Sequence, residues 1–507
     1  MGEALVEAAG LLFAWGPILG FLVVLPVALL SGLIPGGGLP TAVVILGFAW
    51  TLDPLVAATM VVFSMAASDI TEPVPSILLG IPGSRTAQAT ILDGYPLAQQ
   101  GKAGLALGAS YTCTLIGGLI GAAALLIALP MARHLLQYFG AAEFFLLALM
   151  GIFAVGVVSQ GAMVKGLLTS TFGIGIATIG YTPVGNVVRA DMGLTYLWEG
   201  INLTPIIVGL FALPELIDLV ASDTRVSKKA GSTLLKESRS QVYEGMLLAI
   251  RKHKLLLLRS SLIGTFVGAM PGLGGSAGHW ISYASAQATE KGAKETFGRG
   301  DIRGVIAADS ANNSSDGGVL IPTVIFGIPG SPGMAILLAI LIIGGTSPGP
   351  SMVTDKLPFT MALVLTLTIA NIVVVPIMLF AAPFVLKLAS IRPAVLAPPA
   401  IALVTLAAYS SNFRTADLLV AAGFMVLGIF MKAYGWPRPP ILIAIVLTPI
   451  LEQYMNIATN AYGWSMIQRP QFLIILGIMV VAFVYSAKMQ RGAGSTQETR
   501  SEPVDVA

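Results

Sequence analysis

Polar side chains crowd into one short stretch of the sequence, residues 309–316, which reads Asp309-Ser310-Ala311-Asn312-Asn313-Ser314-Ser315-Asp316. Oxygen atoms of Asp, Asn and Ser suit a sodium ion, and Asn and Ser side chains also hydrogen bond to a carboxylate. Either aspartate could instead carry a proton. The alternative is a helix-capping cluster at a membrane interface, because these residue types are favoured N-caps. We predict Asp309, Asn312 and Ser314 as ion-coupling residues, and Asn312 and Asn313 as substrate-binding residues.

A second acidic position precedes this stretch. Asp69 and Glu72 lie three residues apart, so they share one face if the segment is helical. They could bind a cation or a proton, and they would repel an anionic substrate unless they were neutralised. A loop at the surface is the alternative, which the residues alone leave open. We predict both as ion-coupling residues.

Four Pro-Gly interruptions break apolar runs of the sequence. Pro removes a backbone donor and Gly frees the backbone dihedrals, so a helix must stop there. At membrane depth, the freed backbone groups are tolerated where they line a cavity, and half-helix N-termini can face an anion. Packing kinks or surface turns are the alternative. The predicted substrate-binding residues at these breaks are Pro35, Gly36, Gly38, Gly83, Ser84, Pro271, Gly272, Gly274, Gly330 and Ser331.

The elements that position these residues are membrane helices. Of the 507 residues, 55% are hydrophobic and 10% are charged, whereas about 25% are charged in an average soluble chain. A spanning helix needs roughly 20 apolar residues, so the uncharged runs accommodate about 10 to 12 spans. Strand alternation is not visible. The sequence therefore predicts an all-α polytopic membrane protein with re-entrant hairpins at the breaks.

The breaks occur in matching pairs, which predicts two structural repeats. Gly32-Leu-Ile-Pro35-Gly36 corresponds to Gly268-Ala-Met-Pro271-Gly272, and Pro75 to Ser84 corresponds to Pro322 to Ser331 in the same order. Residues 290–301 of the second half are charged, while the matching loop of the first half is nearly bare. We therefore predict inverted repeats, because basic loops stay on the cytoplasmic side. The predicted regions are 1–220 and 260–487 for the repeats, 221–259 for a linker and 488–507 for a disordered tail.

The linker fixes the predicted orientation. Its acidic residues are outnumbered by the basic side chains Arg225, Lys228, Lys229, Lys236, Arg239, Arg251, Lys252, Lys254 and Arg259. The positive-inside rule places residues 221–259 in the cytoplasm and the acidic N-terminus in the periplasm. We interpret residues 10–31 as a retained helix, since no basic n-region precedes it. Cys113, the sole cysteine, excludes an internal disulfide.

The sequence lacks a nucleophile elbow, a zinc-type His/Glu spacing and a phosphate-binding loop. We therefore predict that the protein is not an enzyme, that it uses no cofactor and that any transport is driven by an ion gradient. A receptor or scaffold subunit that senses a binding protein without transporting remains the alternative function.

Longer strings of the sequence resemble the large membrane subunit of the tripartite tricarboxylate transporters, the TctA family. The resemblance is strongest over residues 268–351, which contain the Asn312-Asn313 and Ile328-Pro329-Gly330-Ser331 strings, and over residues 81–107, which contain Asp93-Gly94-Tyr95-Pro96. Pro271, Gly272, Asn312, Asn313, Pro329, Gly330 and Ser331 fall on family motifs. Two positions depart from the family pattern: residues 69–75, and Asp309 where Glu is usual.

The resemblance implies a bacterial inner-membrane protein that takes up an organic carboxylate together with Na⁺ or H⁺. It implies two protein partners, a small membrane subunit with about four spans and a periplasmic solute-binding protein. It implies no nucleic-acid partner. The altered segment at Asp69 leaves the identity of the carboxylate and of the coupling ion open.

Overall fold

A computed structural model describes residues 1–33, 38–81, 87–158, 163–221, 238–270, 275–389, 393–481 and 483. Within these residues the chain is almost entirely helical, and the strands are β1 (Gly180–Tyr181) and β2 (Val188–Arg189), which pair antiparallel. This confirms the prediction of an all-α polytopic membrane protein.

The helices of the first half are α1 (Gly2–Leu12), α2 (Trp15–Leu33), α3 (Gly38–Phe48), α4 (Pro54–Thr71), α5 (Pro73–Leu79), α6 (Gln88–Gln99), α7 (Ala103–Leu136), α8 (Ala141–Val158), α9 (Met163–Ala177), α10 (Leu203–Ile207) and α11 (Leu213–Ala221). Those that follow are α12 (Ser238–Leu247), α13 (Lys254–Gly268), α14 (Gly275–Thr289), α15 (Ala293–Thr296), α16 (Ile302–Phe326), α17 (Pro332–Ile343), α18 (Leu357–Ala389), α19 (Pro393–Ser410), α20 (Thr415–Ala433), α21 (Pro439–Tyr462) and α22 (Pro470–Val481). Two π-helical turns, Val208–Ala212 and Leu248–Lys252, continue α10 and α12.

The described residues hold 6 helices that are long and apolar enough to cross a membrane, together with shorter apolar helices of 10–17 residues. The helix predicted over residues 10–31 is divided in the structure: residues 10–12 end α1, and α2 begins at Trp15. The helix α16 has 25 residues, enough to cross at about 1.5 Å per residue, but polar side chains fill its middle.

Matching glycines end matching helices. Gly80 follows α5 with φ 67° and Gly327 follows α16 with φ 70°, a left-handed conformation that glycine adopts without strain. The next residue repeats the correspondence, because the amide of Ile81 donates to the carbonyl of Pro75 and that of Ile328 to the carbonyl of Pro322. The repeated sequence motif therefore builds the same helix end twice.

The packing of the two halves is also reciprocal. Gly32 on α2 packs against the Ser68 carbonyl of α4, and Gly268 on α13 packs in the same way against the Ser315 carbonyl of α16. Each central helix then contacts elements of the other half: α6 packs on α16, while α17 and α18 pack on α4. Exchange of this kind is characteristic of a two-fold relation. The inverted repeats themselves, and their orientation in the membrane, stay predictions from the paired motifs and the loop charges.

The chain divides into two compact units that do not follow the repeat boundaries. One unit contains residues 1–134 and 202–429, and the other contains residues 135–201 and 430–507. In the second unit α8 and α9 pack against α21, and Arg189 forms an ion pair with Glu452. Each unit thus combines segments from both halves of the chain. All the predicted site residues belong to the first unit.

Candidate functional site

The polar stretch 309–316 forms the buried middle of the helix α16. Asp309, Asn312 and Asn313 are at most 2% exposed, and Asp316 is 7% exposed. The N-cap of α16 is instead Asp301, whose side chain accepts a hydrogen bond from the amide of Arg303 at 2.9 Å. The alternative interpretation of the stretch as an N-capping cluster is therefore wrong, because it begins two turns inside the helix.

Glycine contacts allow neighbouring helices to approach the α16 backbone closely. A methyl group added at Gly117 or Gly121 of α7 would lie 2.5 Å from the carbonyl oxygen of Ser310 or Ser314. On another side, Gly264 and Gly268 of α13 pack against the backbone of the same helix. Small residues at helix contacts are typical of membrane proteins, since they let backbones approach. They fix α16 in the centre of its unit.

A pair of asparagines, Asn313 of α16 and Asn371 of α18, joins these two helices. Asn313 Nδ2 donates to Asn371 Oδ1 at 3.1 Å, and Asn371 Nδ2 donates to the Leu367 carbonyl at 2.9 Å. The carbonyl oxygens of the Asn312 and Asn313 side chains make no hydrogen bond within the described residues. These oxygens are unsatisfied in a buried position, which costs free energy unless a ligand pairs with them. Asn371 was missed because it stands alone in an apolar run of the sequence.

Three carboxyl groups from both halves converge beside α16. Asp69 of α4 lies beside Asp316 and Glu72, and Asp316 Oδ2 has no hydrogen-bond partner in the described part of the chain. Ionised carboxylates are acceptors only, so carboxylates this close together repel one another unless a proton or a cation neutralises them. The interpretation of Asp69 and Glu72 as a surface loop is wrong. Asp69 lies within α4 between the buried residues Ser68 and Ile70, and Glu72, which follows α4, is 4% exposed. Their predicted role in ion coupling stays a prediction.

Asp309 faces a different set of groups. Thr90 of α6 donates a hydrogen bond to Asp309 Oδ1, and Ser110 of α7 lies beside the same carboxylate. The other oxygen, Oδ2, is buried without a partner in the described residues. Ser314, the third predicted ion ligand on α16, instead donates to the Ala311 carbonyl at 3.2 Å within its own helix. The structure thus brings Asp309 together with Thr90 and Ser110, two hydroxyls that the sequence did not indicate.

One of the four predicted breaks lies wholly within the described residues. Residues 327–331 separate α16 from α17, and Ser331 caps α17 by accepting from the Met334 amide at 3.3 Å. Gly330 is buried against Val319, one turn beyond Asp316. Gly38 begins α3. The other predicted break residues, Pro35, Gly36, Gly83, Ser84, Pro271, Gly272 and Gly274, lie outside the described residues.

A polar connection between α6 and the loop before α16 was not expected from the sequence. Asp93 Oδ1 accepts from the amides of Gly298, Gly300 and Asp301 at 2.8–3.0 Å, and Asp93 Oδ2 accepts from the Tyr283 hydroxyl at 2.8 Å. Asp93 belongs to the Asp-Gly-Tyr-Pro string, whose chemistry the sequence alone did not reveal. We call these five residues the Asp93 anchor.

Next to the anchor, Asp301 pairs with Arg303 at 2.6 Å and accepts from the Thr296 hydroxyl at 2.5 Å. Burial opposes the charge on Asp301, but the hydrogen bonds from Arg303 and Thr296 outweigh it and lower the pKa of the Asp301 carboxyl group. The loop is therefore held in one conformation by charged partners as well as by Asp93.

Comparison with known proteins gives one family. The model described as "Tripartite tricarboxylate transporter TctA family" matches residues 18–443. A protein of Agrobacterium vitis described as an uncharacterized 52.8 kDa protein in the TAR-I ttuC' 3' region is 28% identical over 433 residues, which is 84% of each chain. A second protein of that organism, from the TAR-II ttuC' 3' region, is 27% identical over 224 residues, covering 44% of this chain and 92% of its own. No solved structure matches.

Proposed function

Because the chain belongs to the tripartite tricarboxylate transporter TctA family, we propose that it is the subunit through which an organic carboxylate crosses the membrane in a binding-protein-dependent, ion-gradient-driven uptake system. The coupling ion would be sodium or a proton. The observation that supports this most directly is the helix α16, whose buried polar middle carries oxygen atoms without a hydrogen-bond partner in the described residues. Polar groups at such depth are costly and usually functional.

The carboxylate would bind near the break between α16 and α17. The N-terminus of α17 carries the positive end of a helix dipole, and its first residues are partly buried beside Met65 of α4. The side-chain amide groups of Asn312 and Asn313 supply donors in the same unit. A half-helix N-terminus together with neutral donors is a common way to bind an anion inside a membrane.

A bound cation would lower the electrostatic cost of placing a carboxylate substrate near the acidic side chains of this unit. Asp69, Glu72, Asp309 and Asp316 carry carboxyl groups in the same unit, and their negative charge would repel a carboxylate. A sodium ion or proton that neutralises them removes this repulsion, so cation and anion would move together. Alternating access to the two sides of the membrane would then give symport.

The partners and the orientation follow the family. We propose a small membrane subunit with about four spans and a periplasmic solute-binding protein that delivers the carboxylate. The protein would lie in the bacterial inner membrane with its N-terminus in the periplasm. The basic residues Arg251, Lys252 and Lys254, near the start of α13, support a cytoplasmic position for that end of the helix.

The test is uptake into proteoliposomes that contain both membrane subunits and the added binding protein. We expect Asn312→Ala and Asn313→Ala to reduce carboxylate uptake by at least about tenfold, the effect of losing one hydrogen bond to a charged group. Asn456→Ala is the matched control, because Asn456 is exposed and bonds only within its own helix.

Two results would contradict the proposal. Normal uptake by both variants would remove the asparagines from the site. Absence of any flux in a system that still binds the loaded binding protein would favour the receptor or scaffold function instead.

A further inference from the structure

We infer that Asp309, Thr90, Ser110 and Ser310 form a sodium site between α6, α7 and α16. This inference rests on the proposed function and deepens it, since it selects one coupling ion and assigns its ligands. The carboxylate supplies the charge and the three hydroxyl oxygens are neutral ligands. Such a hard-oxygen set with one negative charge suits a monovalent cation that binds oxygen.

The four residues come from parts of the chain that are distant in sequence but adjacent in the fold. Thr90 donates its hydroxyl hydrogen to Asp309 Oδ1, which leaves the lone pairs of its oxygen available. Ser110 lies beside the Asp309 carboxylate, and the Cys113 thiol, one turn further along α7, lies beside both Ser310 and Asp309. Thr90, Ser110 and Ser310 are fully buried and Asp309 is 1% exposed.

The unsatisfied atoms of this group point to a ligand. Asp309 Oδ2, Ser110 Oγ and Ser310 Oγ each lack a hydrogen-bond partner within the described residues. A buried carboxylate oxygen without a partner is strongly destabilising in an apolar surrounding. Among the described residues, the groups beside Asp309 are the Thr90 and Ser110 hydroxyls and the Cys113 thiol, and none of them is cationic. The described residues therefore supply no cationic partner for Asp309, and a bound cation would fill that role.

Sodium satisfies these atoms better than a proton does. A proton on Oδ2 would neutralise the charge, and the new O–H group could donate to one serine oxygen, but the other serine oxygen would stay without a partner. One sodium ion accepts lone pairs from the carboxylate and from several hydroxyls at the same time. Its binding would also tie α6 of the first half to α16 of the second half.

The experiment measures ²²Na⁺ binding to the purified protein in lipid nanodiscs, at constant ionic strength with choline as the replacement cation. We expect saturable binding to the wild type, and a loss of affinity of at least about tenfold in Asp309→Asn. Ser110→Ala and Ser310→Ala should each weaken binding by a smaller factor. Thr112→Val is the matched control, because this α7 hydroxyl already donates to the Gly108 carbonyl at 2.8 Å.

The serine variants keep the inference testable if Asp309→Asn fails to fold. Ser110→Ala removes an unsatisfied buried oxygen, so in choline we expect a melting temperature equal to or above that of the wild type, while the stabilisation by Na⁺ shrinks. Na⁺ binding that is unaffected by all three site variants, or absent from the wild type, would overturn the inference. Uptake in proteoliposomes driven by a pH gradient without Na⁺ would then show that the proposed transport function stands without this site.

Discussion

Asp93 belongs to α6, and Asp309 contacts the same helix through Thr90. Both carboxyl groups are buried, yet their surroundings differ. Asp93 is 0% exposed and accepts four hydrogen bonds, three from backbone amides and one from Tyr283. Asp309 is 1% exposed, accepts one hydrogen bond from Thr90 and keeps an oxygen without a partner in the described residues. Burial alone therefore does not separate a structural carboxylate from a functional one.

The number of satisfied lone pairs separates them. A carboxylate that accepts several amide hydrogens replaces its hydration shell with protein donors and stabilises the fold. A carboxylate that lacks donors in the same kind of surrounding is destabilising until a ligand binds. We therefore expect substitutions at Asp93 to lower stability, and substitutions at Asp309 to lower ion binding.

The largest expected effect is on stability at the Asp93 anchor. Asp93→Ala leaves the amides of Gly298, Gly300 and Asp301 without their acceptor, and we expect a loss of about 2–4 kcal/mol in the free energy of unfolding. Denaturant unfolding in detergent, followed by tryptophan fluorescence, measures it. Asp309→Ala in choline is the comparison variant, and an equal loss in both would break the distinction.

A smaller effect is expected where α7 packs against the polar stretch 309–316 of α16. Gly117→Ala places a methyl group 2.5 Å from the Ser310 carbonyl, so α7 and α16 must separate. We expect a loss of about 1–3 kcal/mol, as for other overpacked contacts, together with weaker Na⁺ binding because Ser310 moves.

Gly175→Ala is the control for this substitution, since a methyl group there meets nothing within 4 Å. Thermal unfolding and ²²Na⁺ binding give the two measurements. Unchanged Na⁺ affinity in Gly117→Ala, despite lower stability, would show that Ser310 is not a ligand of the sodium ion.

The smallest expected effect is the loss of one contribution to the free energy of unfolding at low pH. The folded state lowers the pKa of Asp301, so this group stabilises the fold above its unfolded pKa near 3.8, and that contribution disappears as the pH falls through the lower folded value. Because burial opposes the charge on Asp301 and offsets much of the gain from Arg303, we expect less than about 1 kcal/mol.

Stability measured between pH 6 and pH 3 in the wild type and in Asp301→Asn isolates this contribution. The difference between the two proteins should shrink on acidification. A difference that stays constant would show that the loop beside the anchor is held by uncharged contacts.

The features that could be predicted from the sequence are those that depend on local residue patterns. Apolar runs indicated membrane helices, and the repeated Pro75 and Pro322 motifs indicated helix ends that the structure forms twice. Asn312 and Asn313 stood out because amides are unusual in an apolar run. These features depend on residues close together in the chain, so composition and spacing reveal them.

The partners of these residues depend on contacts between distant segments. Thr90 and Asp309 are 219 positions apart, and Asn313 meets Asn371 across 58 positions. A single threonine or asparagine in an apolar helix carries no signal about which helix it will face. Asp93 was visible within a motif, but three of its four donors come from a loop about 205 residues later and the fourth, Tyr283, comes from α14, so its anchoring role could not be predicted.

The division of the chain has a consequence for biosynthesis. Since α8 and α9 pack on α21, they leave the ribosome long before their partner helix exists, by tens of seconds at about 5–20 residues per second. During that interval the early helices must wait in the bilayer without their final neighbours. Assembly of this protein is therefore completed only when the last quarter of the chain is inserted, and a chain truncated before α21 should be a substrate for membrane proteases.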